Sequence, residues 1–76
     1  MRIEPVRSFS GGEVKAIRIS ANLTQLAFAA VLGVSKKAVE AWECGRNTPS
    51  GPACRLLSIM EKDPELPEKY GFVENE

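Results

Sequence analysis

Lys36 and Lys37 set two ammonium groups side by side, and Glu40 and Ala41 follow on the same side of a helical wheel. Lysine donates to guanine O6 and N7 or to phosphate. A glutamate carboxylate accepts from cytosine N4, and an alanine methyl packs on the thymine methyl. Together these are the chemistries of a duplex base edge. The competing interpretation is a solvated charge pair, with Glu40 bonding Lys36 or Lys37 along one helix. Folding alone disfavours lysine in a first helical turn, where the helix dipole costs about 0.3–1 kcal/mol per positive charge. An anionic ligand gives a reason to accept that cost. Catalysis has no such support. The chain has no histidine, two cysteines, no phosphate loop and no nucleophile–base spacing. Neither an enzyme, a cofactor nor a metal site is expected.

The elements that must hold these side chains can be read from periodicity and caps. On a wheel of about 100° per residue, Ala38, Val39 and Trp42 gather opposite the lysines and face inward. Ser35 caps this helix, Val34 and Val39 form a hydrophobic staple, and Gly45 closes it. The helix before it starts at the cap Thr24 and ends before Gly33, which can take the positive φ of a tight turn. Its core side is Phe28, Ala29 and Leu32, with Gln25 one turn earlier on the same stripe. Ala29 lets two backbones approach closely. Leu26, Ala27 and Ala30 leave the other side apolar, either as good helix formers or as a partner surface. Two short helices joined by a turn, the second headed by donors, make the layout of a helix-turn-helix DNA reader. Ser35, Lys36, Lys37, Glu40 and Ala41 are then the expected base contacts. Thr24 and Gln25, at free N–H groups, and Arg46, Asn47 and Thr48, beyond the reading helix, are the expected phosphate contacts. Asn47 and Thr48 also suit turn formation.

Around this centre the spacing predicts an all-α domain of four to five helices over residues 10–62. An arm spans 1–9, either loose or extended, and an acidic segment with one short helical turn spans 63–76. Ser10 opens the first helix with a capping box to Glu13 and a Phe9–Val14 staple. That helix runs to about Ala21 with Val14, Ile17 and Ala21 inward, and Asn22 ends it. The fourth helix begins at Ser50 or Gly51, carries Ala53, Leu56, Leu57 and Met60 on one stripe, and stops at Asp63-Pro64. Arg18 adjoins the first helix's apolar stripe and Glu43 ends the reading helix. The two can bridge these helices or stand as separate surface charges. Ile59, Leu66, Tyr70 and Phe72 are candidates for a homodimer seam, since a core of this size is thin.

Net charge is zero, which is low for a nucleic-acid binder, but it is unevenly spread. Residues 1–50 carry +3 and residues 51–76 carry −3. A small domain polarised in this way can still offer phosphate a positive face. No apolar run is long enough for a membrane span and MRIEPVRSFS lacks a signal-peptide core, so a cytoplasmic protein is expected. Cys44 and Cys54 are expected as free thiols.

Residues 13–62 resemble the Cro and phage-repressor family of helix-turn-helix proteins. The resemblance is carried by Leu23-Thr24-Gln25, Ala29, Leu32-Gly33-Val34-Ser35, Val39 and Trp42-Glu43-Cys44-Gly45-Arg46. It implies a lambda-repressor-like fold and DNA contacts at Gln25, Lys36, Lys37, Ala41 and Arg46. It also implies an Arg18–Glu43 bridge. The run from Trp42 to Leu66, above all TPSGPA at 48–53, is similar to HigA-like antitoxins and to the DNA-binding half of MqsA-like antitoxins. That similarity implies a homodimer on an inverted-repeat operator, repression of its own operon, and a RelE-type ribonuclease toxin as partner. The chain departs from it in two ways. Within these residues neither a zinc-binding domain of the MqsA kind nor, in the nine-residue arm, a toxin-binding segment is expected.

Overall fold

Short polar side chains start the helices. The Ser10 hydroxyl accepts from the Glu13 N–H at 3.2 Å, and the Glu13 carboxylate accepts from the Ser10 N–H at 2.9 Å, opening α1 (Gly11–Ser20). Thr24 caps α2 (Gln25–Leu32) through the Ala27 N–H, and Ser35 caps α3 (Lys36–Glu43) through the Ala38 N–H, both at 3.1 Å. Ser50 precedes α4 (Gly51–Lys62) without a side-chain cap bond, and Pro52 sits in its first turn. One short turn, α5 (Leu66–Lys69), follows. This computed structural model describes residues 1–74; Asn75 and Glu76, the end of the acidic segment, lie outside the described residues.

Helix ends use one recurring closure. Gly33 has φ +74°, its N–H reaches the Ala30 carbonyl at 3.3 Å, and the Val34 N–H reaches Ala29 at 2.9 Å. This paired closure satisfies two orphan carbonyls and turns the chain sharply into α3. A side chain at φ +74° would be strained, so glycine suits the turn. Asn22, at φ +63°, closes α1 in the same way, with Leu23 N–H reaching the Arg18 carbonyl at 3.2 Å. Ala21 therefore caps α1 instead of ending it.

The described residues form an all-α fold, with α3 packed against both α1 and α2 and α4 against α1. Val14, Phe28, Val39, Leu57 and Met60 are fully buried at the centre. Cys54 joins them, a core member outside the stripe expected for α4. Leu66 does not stand at a seam as expected. It is only 6% exposed and lies in the protomer's own core, because the chain folds back after the Asp63-Pro64 break and α5 buries it there. It has almost no apolar area left to give a partner.

The arm forms no regular element, yet it is tied down. Phe9 is buried, the Arg7 guanidinium lies 4.1 Å above its ring, and Arg7 pairs with Glu13 and with Glu61. Arg55 donates to the Glu4 carbonyl at 3.0 Å. The arm thus straps α1 to α4, on elements other than α3.

Candidate nucleic-acid interface

Ser35, Lys36 and Lys37 are all exposed at the head of α3, while Val39 and Trp42 are buried beneath it. Glu40 and Ala41 are half-buried one turn on. Eight residues give a helix about 12 Å long. The major groove is wide enough to take it. Among the described residues Glu40 makes no ion pair with Lys36 or Lys37, so the intrahelical bond expected for it is not formed. Its carboxylate is left available to a partner.

The far end of α3 is gripped by charge. Arg18 Nε donates to Glu43 Oε2 at 2.7 Å and Nη2 donates to Oε1 at 3.0 Å, a two-pronged pair with side chains only 14% and 7% exposed. Arg18 also donates to the Leu23 carbonyl at 3.1 Å, and Gln25 Nε2 donates to Glu43 Oε1 at 3.2 Å. One carboxylate therefore ties α1, the start of α2 and the end of α3 together. Burial pushes the Glu43 carboxyl upward. Hydrogen bonds from Arg18 and Gln25, with the charges of Arg18 and Lys15, outweigh this and hold it below the usual carboxylate range.

This network makes a prediction about stability. Glu43→Ala strips the counter-charge from a half-buried guanidinium and should cost about 2 kcal/mol. Arg18→Ala combined with Glu43→Ala should cost less than Glu43→Ala alone, because no unpaired charge is left. Urea denaturation of the four members of the cycle measures the coupling, and a coupling of zero would reject the network. The pH dependence has a definite sign. A carboxyl whose folded pKa is depressed contributes stability above its unfolded value, here 4.5, and loses it as pH falls through the folded value. Wild-type stability should therefore decline below about pH 4.5, and Glu43→Gln should flatten that decline.

A second support comes from α1. A Cβ on Gly11 would lie 2.6 Å from the Trp42 carbonyl oxygen and 2.7 Å from that of Glu43. The start of α1 thus rests directly on the last carbonyls of α3, with room only for hydrogen.

The flanking residues are partly engaged already. Thr24 Oγ1 accepts its cap bond and keeps its hydroxyl proton to give. Gln25 spends one amide proton on Glu43 and keeps the other. Beyond α3, Gly45 has φ +81°, and the Arg46 N–H reaches the Ala41 carbonyl at 3.0 Å. Arg46 Nε donates to the Cys44 sulfur at 3.1 Å, and that contact draws the exposed Cys44 thiol's pKa down. Asn47 Oδ1 accepts from the Thr48 N–H at 2.9 Å, so its side chain builds the turn. Arg46 and Thr48 are exposed.

Of the seam candidates, Ile59, Tyr70 and Phe72 are 46%, 65% and 59% exposed. The Tyr70 and Phe72 rings lie 6.4 Å apart. Two features here escaped sequence reasoning. Gln25 joins the charge network, which a polar residue on an inward stripe could have signalled. Gly11 gave no separate signal, since a capping box accommodates glycine there without any close contact.

A helix-turn-helix family model matches residues 14–59, from the first turn of α1 into α4. The chain is also similar to antitoxin HigA-2 of Vibrio cholerae, 36% identical over 58 residues that make up 76% of this chain and 56% of the relative. The matched stretch therefore spans little more than half the length of that relative. Arg18, Gln25, Lys36, Lys37, Glu43 and Arg46 all fall inside the family match. With well over half of its residues so matched, and with Gly33 turning α2 into a lysine-headed α3, the chain belongs to the helix-turn-helix family.

Proposed function

We propose that this protein is a homodimeric repressor that reads an inverted-repeat operator in duplex DNA and serves as the antitoxin of an operon it regulates itself. The observation that carries the proposal is the head of α3, where two exposed lysines stand on a helix whose far end is fixed by the half-buried Arg18–Glu43–Gln25 network. Fixing one end of the helix presets the register of the other, which is what base readout requires. Ser35, Lys36, Lys37, Glu40 and Ala41 are the proposed base contacts, and Thr24, Gln25, Arg46, Asn47 and Thr48 the proposed phosphate contacts. Two copies of α3 in a dimer would enter major grooves about 34 Å apart. Ile59, Tyr70 and Phe72 are the proposed seam residues, because all three are exposed beyond the core. A dimer would also stabilise a small domain by mass action.

Similarity to an antitoxin supports the second half of the proposal. A RelE-type ribonuclease is the proposed partner and the cytoplasm the proposed place of action. No helix among the described residues is long and apolar enough to cross a membrane, which accords with that placement. The test is footprinting of the protein on the DNA upstream of its own gene. Two protected half-sites one helical turn apart are expected. Absence of any protection at low salt would reject the repressor. Co-expression with the adjoining gene tests the antitoxin role, and rescue of growth is expected. A second reading, an interaction module of this fold that no longer binds DNA, is favoured by the zero net charge and by Glu40, which has no ion pair among the described residues. A gel shift that stays flat while a protein partner is retained would select it.

A further inference from the structure

We propose that the outer face of α2 and the C-terminal hook form a docking cleft for a basic, amphipathic segment of a partner protein. Gly71, at φ +73°, turns the chain after α5, and the Phe72 and Val73 N–H groups both reach the Pro67 carbonyl, at 2.7 and 3.1 Å. This hook sets Phe72 and Val73 across from Ala27, Ala30 and Val31, leaving a cleft of about 400 Å³. Leu26, 65% exposed, extends the apolar surface along α2. The helix carries no charged residue, so the cleft has an apolar floor from α2 and a wall from the hook.

The charge around it selects the occupant. Glu74 follows Val73 directly, and Glu68 lines an adjoining depression that shares Val73. Both are exposed, and neither makes an ion pair among the described residues. An apolar floor edged by free carboxylates suits a segment with leucine-like residues on one side and lysine or arginine on the other. A two-fold contact through this face would bring a second set of the same carboxylates into one interface, and DNA phosphate would be repelled. The cleft deepens the proposed antitoxin role and rests on it for the natural partner. Operator binding, measured alongside, separates failure of that role from failure of the cleft.

The test titrates ¹⁵N-labelled protein with a synthetic leucine–lysine amphipathic peptide and follows amide shifts. Shifts centred on Ala27, Ala30, Val31, Phe72 and Val73 are expected. A leucine–glutamate peptide of the same pattern should bind at least about tenfold more weakly, since it meets two carboxylates of its own sign. Ala30→Arg, at an exposed helix site that tolerates a long side chain, should abolish the shifts. Glu68→Lys with Glu74→Lys should weaken the basic peptide about tenfold. Equal binding of both peptides, or shifts centred elsewhere on the protein, would overturn the proposal. So would shifts at these residues that arise on concentrating the protein alone, because the occupant would then be a second copy.

Discussion

Replacing Lys36 and Lys37 together with alanine should cut operator affinity by about 10²–10³-fold while leaving the domain at least as stable as before. Each good lysine contact to a guanine edge is worth about 1–3 kcal/mol, so removing two has a large effect even if one goes only to phosphate. The effect on folding runs the other way. Both residues lie in the first turn of α3, where positive charge opposes the helix dipole by about 0.3–1 kcal/mol each. Both are exposed, and no ion pair among the described residues holds either in place. Alanine is also the better helix former. Melting temperature should therefore hold or rise by a few degrees as binding collapses. Gel shifts over a salt series supply a further reading. A lysine that grips phosphate contributes about one to the slope of log affinity against log salt, whereas one that reads a base edge contributes nothing to it. Weaker binding accompanied by weaker folding would mean that the lysines hold the fold, and would sink their assignment to DNA.

The expected divergence between binding and stability rests on a conflict that the sequence itself displays. Residues that fold a domain and residues that serve a ligand follow different rules. Where they conflict, as at Lys36 and Lys37, the conflict is visible without coordinates. The caps at Ser10, Thr24 and Ser35 and the turn at Gly33 were legible because each depends on a local hydrogen bond or a local φ. Arg18 and Glu43 could be paired in advance as opposite charges on facing helices. Other contacts between segments distant in sequence were not legible. Gln25 stands out as a polar residue on an inward stripe, but nothing local names Glu43 as its partner, and nothing near Leu66 says that the chain doubles back to bury it. The competing Glu40–Lys pair is absent among the described residues. Spacing permits such a pair, but an exposed ion pair gains little once its side chains are immobilised.

Gly11→Ala should be among the most damaging single substitutions in the chain, and Gly12→Ala, one residue away, should be stabilising. Both glycines lie in the first turn of α1, and by helix propensity alone each change should gain up to about 1 kcal/mol. A Cβ at Gly12 meets nothing within 4 Å, so that gain is free, and melting temperature should rise by a few degrees. At Gly11 the same methyl would come within 2.6 Å of the Trp42 carbonyl oxygen and 2.7 Å of the Glu43 carbonyl oxygen. Those are backbone atoms at the end of a helix and cannot swing aside as a flexible side chain could. Either α1 lifts from α3 or α3 shifts, and either movement disturbs the packing of Trp42 and the Arg18–Glu43 pair. A cost of about 3 kcal/mol is expected, which for a domain of this size lowers the melting temperature by more than about 10 °C. The consequence reaches DNA, because α3 is the helix displaced. Added at a temperature where the variant is still folded, operator should bind Gly11→Ala more weakly than wild type, although residue 11 is on another helix. Thermal melts of the two alanine variants, with gel shifts at low temperature, decide the matter. Equal melting temperatures for the pair would show that α1 does not brace the reading helix at this point.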